Sequence, residues 1–319
     1  MINSVRQTVL SVLNKNNYGY ITPADFNLYA KQAQLEIFDE YFYSYNNQVN
    51  KENARRSGTD YAQITKALAE VIDTFSVTNA LKKTSLGVTT FNSNFYLPSP
   101  STTGDDEYMI NKLMVYTTQL ATGSASAVVV DSLRDSTANF VSSGVSVGDL
   151  VVNSSDETFA YVTSVSELTL GLSSDIFTSL PKSYRVYDSD YVKQADRVSH
   201  GNITMLNNSL LTKPSTTFPA YTQASELITI YPQSIVNYGQ VVAQYIRYPK
   251  DPNWTYSTLT GDEPVFDGTA SDYQDFELPL DDEYSLVYKI LQYSGMSIRE
   301  VQAVQFGQAQ EQAQNISEQ

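Results

Sequence analysis

Between about residues 121 and 190 the chain changes character, and this change constrains its fold more than any other feature. Alanine, serine, threonine, valine and glycine dominate the stretch. Five short β-prone runs follow one another at 128–130, 145–152, 159–165, 168–172 and 184–187. Turn residues separate them at Ser143-Gly144, Asn153-Ser154-Ser155-Asp156 and Ser173-Ser174-Asp175. Short strands at such spacing bury their apolar face only by packing sheet on sheet or by closing into a barrel. The stretch therefore reads as a small all-β module, barrel or sandwich, inserted over residues 122–190.

The flanking parts read differently. Ile2, Val5, Val9, Leu10, Val12 and Leu13 form a short amphipathic stretch that stops near Asn16-Asn17. Thr22-Pro23-Ala24-Asp25 is a helix start, with a side-chain cap, proline at the first position and an acid in the first turn. Phe26, Tyr29, Ala30, Ala33, Ile37, Phe38 and Tyr41 then recur mostly at three- and four-residue steps, which marks one buried face. Residues 51–58 read as a solvated connection, and Tyr61, Ile64, Leu68, Val71 and Phe75 mark a third helix. From Ser85 the period falls to two, through Val88, Thr90, Phe95 and Leu97. Residues 108–118 read as a long strand, with 227–231 and 240–248 continuing its sheet. Residues 255–276 read as an exposed loop. Asp281-Asp282-Glu283 opens a helix that Gly295 is expected to break, and a glutamine-rich helix follows over 297–314. The fold class expected is α+β, with helical N- and C-terminal parts around a β-sheet. Its main domain comprises residues 1–121 and 191–319.

Composition narrows the function. The 319 residues contain no cysteine, which excludes disulfides, zinc–thiolate sites and thiol nucleophiles. With 35 acidic and 20 basic residues the net charge is −15. Phosphate neutralisation drives nucleic-acid affinity, so this balance argues against tight, static DNA binding. It suits a wall past which DNA slides without sticking. No apolar run is long enough to cross a bilayer, and the start has no signal-peptide pattern, so no membrane association is expected.

The chemical motifs are few. Gly144-Val145-Ser146-Val147-Gly148 matches G-x-S-x-G by letter, and Asp188, Asp190 and His200 follow it in triad order. A nucleophile elbow needs strand, sharp turn and helix, yet Asp149-Leu150-Val151-Val152 reads as a strand, so the motif is a glycine-rich β-turn. His200, the one histidine, sits between Ser199 and Gly201 and reads as a turn residue. Asp105-Asp106-Glu107, Asp188-Ser189-Asp190 and Asp281-Asp282-Glu283 lack the alternating ligands of a calcium loop and read as solvated acids. No phosphate-binding glycine loop occurs. The chain is expected to be no enzyme and to hold no metal or cofactor. Trp254, in a stiff segment with Pro249, Pro252 and flanking tyrosines, fits either a core position or an anchor in a subunit contact. The glutamine-rich helix carries a thin apolar stripe of Ile298, Val301, Val304 and Phe306, and Tyr248, Trp254, Ile298, Val301 and Phe306 are the candidate subunit-interface residues.

Asn17-Tyr18-Gly19-Tyr20-Ile21-Thr22-Pro23-Ala24-Asp25-Phe26-Asn27 and Ala33-Gln34-Leu35-Glu36-Ile37-Phe38 resemble the opening of structural proteins from tailed phages. They are similar to the ring, or head–tail connector, proteins of crAss-like gut phages. Ile246-Arg247-Tyr248-Pro249-Lys250-Asp251-Pro252-Asn253-Trp254, Gly295-Met296-Ser297-Ile298-Arg299-Glu300 and Gln305-Phe306-Gly307-Gln308 look similar too. The β insertion is not covered. The resemblance implies a virion protein assembled in the bacterial host's cytoplasm. Its copies, about twelve, would form a ring between portal and tail. The partners implied are the portal and other connector or tail rings, with DNA only as passing cargo. The alternative expectation is a tail or capsid-surface binding protein whose β insertion contacts a host glycan or receptor.

Overall fold

The computed structural model describes residues 1–13, 21–54, 64–84, 93–258, 264–298 and 309. Val88, Thr90, Val301, Val304 and Phe306 lie outside them. The chain divides into two compact units, Met1–Phe75 with Tyr248–Gln319, and Ser76–Arg247. The α+β class is borne out: helices occupy the terminal parts, with seven-stranded sheets between them.

The first unit contains α1 (Ile2–Leu13), α2 (Pro23–Ala54), α3 (Ile64–Asp73), the hairpin pair β15 (Tyr256–Thr258) and β16 (Pro264–Phe266), and α5 (Glu283–Ile298). Thr22 caps α2 as its sequence predicts: the Asp25 amide donates to its Oγ1 at 3.1 Å, and its hydroxyl donates back to Asp25 Oδ2 at 2.6 Å. Phe26, Ala30, Ala33, Ile37, Phe38 and Tyr41 are buried along one face of α2. Three sequence expectations are corrected here. The α2 helix runs on to Ala54 instead of yielding to a connection at 51, since no proline or glycine interrupts it. The α5 helix passes through Gly295 to Ile298, because an isolated glycine costs a helix only about 1 kcal/mol. Residues 255–276 include the β15–β16 hairpin. Buried Lys289 on α5 pairs with Glu36 Oε1 at 3.2 Å and Glu40 Oε2 at 3.6 Å on α2.

The second unit is built on two sheets, each closed on itself. In the first, β1 (Ser76–Ala80), β14 (Val241–Arg247), β3 (Glu107–Tyr116), β11 (Val192–Arg197), β12 (Ala220–Ala224), β13 (Leu227–Tyr231) and β2 (Asn94–Tyr96) are neighbours in that order. The strand of β1 then continues past Ala80. Tyr96 donates its amide to Lys82 O, Lys83 bridges Phe95, and Thr84 donates to Asn94 O, so β1's extension pairs with β2 at the far end. Leu81, Phe95, Leu113, Val115, Ile228, Ile230 and Tyr245 fill the interior.

The second sheet orders β4 (Gln119–Ser124), β10 (Ser183–Tyr187), β7 (Leu150–Asn153), β8 (Thr158–Val165), β9 (Thr169–Leu172), β6 (Ser132–Arg134) and β5 (Ala127–Val129). The end strands β4 and β5 are one bent stretch of chain. Ala125 donates to Lys182 O on one side, and Ser126 donates to Arg134 O on the other. Strand β8 also switches partners, pairing with β7 through Tyr161 and with β9 from Val162. Two bent strands shared between half-sheets are how a small sheet turns its corners and removes its edges. Each of the five runs read from the sequence contributes a strand to this barrel, although 145–149 is a turn and that run is strand only from Leu150, and β4 and β6 complete it. Gly123 in β4 leaves room for two side chains: a Cβ there would stand 2.6 Å from Asp135 Oδ2 and 2.8 Å from the Tyr184 hydroxyl. Those two groups are hydrogen-bonded inside the barrel at 2.7 Å. Burial alone would raise the Asp135 carboxyl, but hydrogen bonds from Thr137 and Tyr184 outweigh it and hold its pKa below the usual range.

The chain enters and leaves this barrel side by side, with Asp188 donating to Thr118 O at 3.0 Å and Tyr116 opposite Val192. A third apolar cluster joins the two barrels. Ala80, Tyr116, Tyr238 and Val242 from the first meet Leu150, Val152 and Tyr187 from the second.

Candidate functional site

The run that spells G-x-S-x-G is a turn leading directly into β7, with no helix after it. Its geometry is set by Asp149, which is buried. Oδ2 of Asp149 accepts the Ser146 amide at 2.8 Å, while Oδ1 accepts the amide and the hydroxyl of Ser189, each at 3.0 Å. The carboxylate thus pins the turn to the strand-exit segment, and Gly144 and Gly148 supply the positive φ angles of 78° and 99° that it requires. Ser146 itself is exposed. His200 is brought elsewhere: its Nε2 lies 3.1 Å from Gln223 O on β12. It opens helix α4 (His200–Asn208), so it is a helix-start residue and not the turn residue that its neighbours suggest. Ser146→Ala and His200→Ala should each shift folding stability by no more than about 0.5 kcal/mol, as surface substitutions do. Both should leave the thermal melting transition where it is in the parent. An esterase activity present in the parent and lost in Ser146→Ala would overturn the reading of this run as a plain turn.

Among the described residues no group of three histidine, aspartate or glutamate side chains converges to hold a metal ion. The acidic runs take local structural parts. Asp105 faces Arg247 at 3.8 Å. Glu107 is half-buried, and burial, reinforced by Asp106, raises its carboxyl pKa. Asp188 Oδ1 accepts the Asp190 amide at 2.8 Å, closing a turn. Asp281 and Asp282 form the 3₁₀ turn Leu280–Asp282 ahead of α5, where Asp282 accepts the Tyr41 hydroxyl.

Of the candidate interface residues, Trp254 is corrected. It is only 2% exposed and belongs to the core of its own chain. Its Nε1 donates to Asn3 Oδ1 at 3.1 Å, and the Arg6 guanidinium lies 3.8 Å from its ring centroid. Tyr256 and Phe266 stack near it at 5.7 and 5.9 Å. Asn27 on α2 accepts the Trp254 amide at 2.9 Å. A side chain enclosed from four directions has no surface left for a neighbouring subunit. Tyr248 keeps 38% of its exposure while its ring lies 5.8 Å from that of Phe38. Ile298 is the last residue of α5.

The segment that sequence reasoning missed is the crossover from β11 to β12. These two strands pair in parallel, Asp196 with Ala220 and Arg197 with Tyr221, so the chain must cross over to restart in the same direction. It does so through residues 198–219, which contain α4. Ile203 packs inward, but Met205, Leu210, Leu211 and Phe218 are exposed. The available signal was Leu210-Leu211 set among asparagine, serine, threonine and proline, an apolar pair with no periodic partner. No family model matches this chain, and no curated protein matches it in sequence.

Proposed function

We propose that this chain is a structural virion protein, without a catalytic site, whose copies form a ring in the head–tail connector or tail of a tailed phage. Such a ring would join portal and tail around the DNA path. The observation that carries the reading is the pairing of closed barrels with an ordered apolar crossover. Among the described residues both barrel sheets close on themselves, so neither barrel offers an edge for strand addition. Leu210, Leu211 and Phe218 nonetheless stand in water, and a chain with no use for such surface gains nothing by displaying it. The resemblance of the segments at 17–27, 33–38 and 246–254 to phage connector proteins supplies the setting. The charge of −15 supports the same reading, since a wall of like charge lets DNA pass without arrest. No helix among the described residues is long and apolar enough to cross a membrane.

Purified full chain, imaged by negative stain and weighed by mass photometry, is expected to form closed rings of about twelve copies. A protein that stays monomeric at high concentration and is missing from virions by mass spectrometry would sink the proposal.

A further inference from the structure

The crossover at 198–219 shows what would hold such copies together. Leu210 and Leu211 are 100% and 97% exposed, and Phe218 is 78% exposed. The backbone that carries them is nevertheless tied down. Lys213 donates its amide to Ser209 O at 3.0 Å, Ser215 donates to Phe218 O at 3.1 Å, and the Phe218 amide donates to Ser215 Oγ at 3.2 Å. Pro214 and Pro219 are buried at the two ends of this turn. The leucines are thus held out on an ordered support, and much of the entropy that docking a loop normally costs is already spent.

Charge indicates what covers them. From residue 197 to 225 the chain has no aspartate or glutamate, while Arg197 and Lys213 are basic, in a protein of net charge −15. A complementary surface exists in the same molecule. At the entry to α5, Leu280 and Tyr284 are exposed, with exposed Asp281 beside them. It is an apolar pair bearing a negative charge. We infer that the 205–218 crossover of one copy docks on the Leu280–Tyr284 turn of the next, with Leu210 and Leu211 against the apolar pair and Lys213 facing Asp281. Donor and acceptor are different surfaces, so the contact is heterologous, and repetition of such a contact generates a ring or a filament instead of a closed dimer. The inference deepens the ring reading and rests on it.

The test uses the full chain in a dilution series, with mass photometry reading assembly and thermal melting reading the fold. Because both leucines face solvent, Leu210→Asp/Leu211→Asp should keep the parent's melting temperature while needing on the order of a hundredfold more protein to assemble. Lys213→Glu should weaken assembly about tenfold, and Lys213→Glu/Asp281→Lys should restore it, as expected for a charge pair facing across the interface. The swap also carries the test should the leucine variant fail to fold. Rings formed by the leucine variant at the parent's concentration, or no restoration by the charge swap, would overturn this contact while leaving the ring reading intact. A parent that never assembles would instead remove the ring reading, and this contact with it.

Discussion

Trp254→Ala is expected to destabilise the helical unit by about 3–5 kcal/mol, the usual cost of deleting a large buried aromatic side chain. Two added effects place it toward the upper end. The buried Arg6 guanidinium loses the ring it lies over, and Asn3 loses the indole donor. Trp254 is the chain's one tryptophan, so in the parent its fluorescence follows unfolding of this unit alone, and far-ultraviolet circular dichroism follows both parent and variant. Trp254→Phe should lose less, because it keeps most of the stacking with Tyr256 and Phe266 and gives up mainly one hydrogen bond, worth about 1 kcal/mol. Should Trp254→Ala unfold at the parent's denaturant midpoint yet fail to assemble, the core assignment is wrong and the residue is a subunit anchor after all.

The tryptophan also shows where sequence reading stops. Its segment was conspicuous by its two prolines and flanking tyrosines, but nothing local distinguishes a core position from an interface. The residues that decide the matter, Asn3, Arg6 and Asn27, lie more than 220 positions away in the chain. Features encoded within a few residues were legible: the Thr22–Asp25 cap, the buried stripe from Phe26 to Tyr41, and the five β-runs with their turns. Barrel closure was not, because it depends on one strand changing partners. Residues 76–84 pair first with β14 and then with β2, and no periodicity reports such a switch. Helix α4 was hidden for a different reason. Its need arises from the parallel pairing of β11 and β12, a relation between strands that composition does not carry, and its own residues His200-Gly201-Asn202 favour turns. The inserted module was legible as a change of composition at about 121 and 190. Its docking was not, since Leu150, Val152 and Tyr187 read as interior residues of their own barrel and three of the seven members of the shared cluster come from them.

That shared cluster is the setting for Gly239→Ala, which is expected to cost about 3 kcal/mol or more from two separable causes. Gly239 has φ of +81°, where a Cβ costs about 1–2 kcal/mol. The added methyl would also stand 2.3 Å from Val152 Cγ2 and 3.0 Å from its Cγ1. Val152 cannot turn aside: it is β-branched, fully buried, and enclosed by strands β10 and β8 on either side. Overpacking a filled core typically costs a further 1–3 kcal/mol. The turn cannot relax freely either, because Gln240 Oε1 accepts the amides of Val236 and Asn237 at 3.0 and 2.9 Å and fixes the loop just before β14. A double-mutant cycle with Val152→Ala separates the causes. Val152→Ala alone loses buried methyl groups, but in the double variant it frees the space that the new Cβ needs, so the pair should cost less than the sum of its members by about 1–2 kcal/mol. The residual loss is the backbone strain, which no repacking removes. Denaturant unfolding followed by far-ultraviolet circular dichroism measures all four corners. If the two losses simply add, the Gly239–Val152 approach does not limit how closely the barrels pack. Gly239→Ala with parent stability would mean that the turn holds neither the positive φ nor the contact described here.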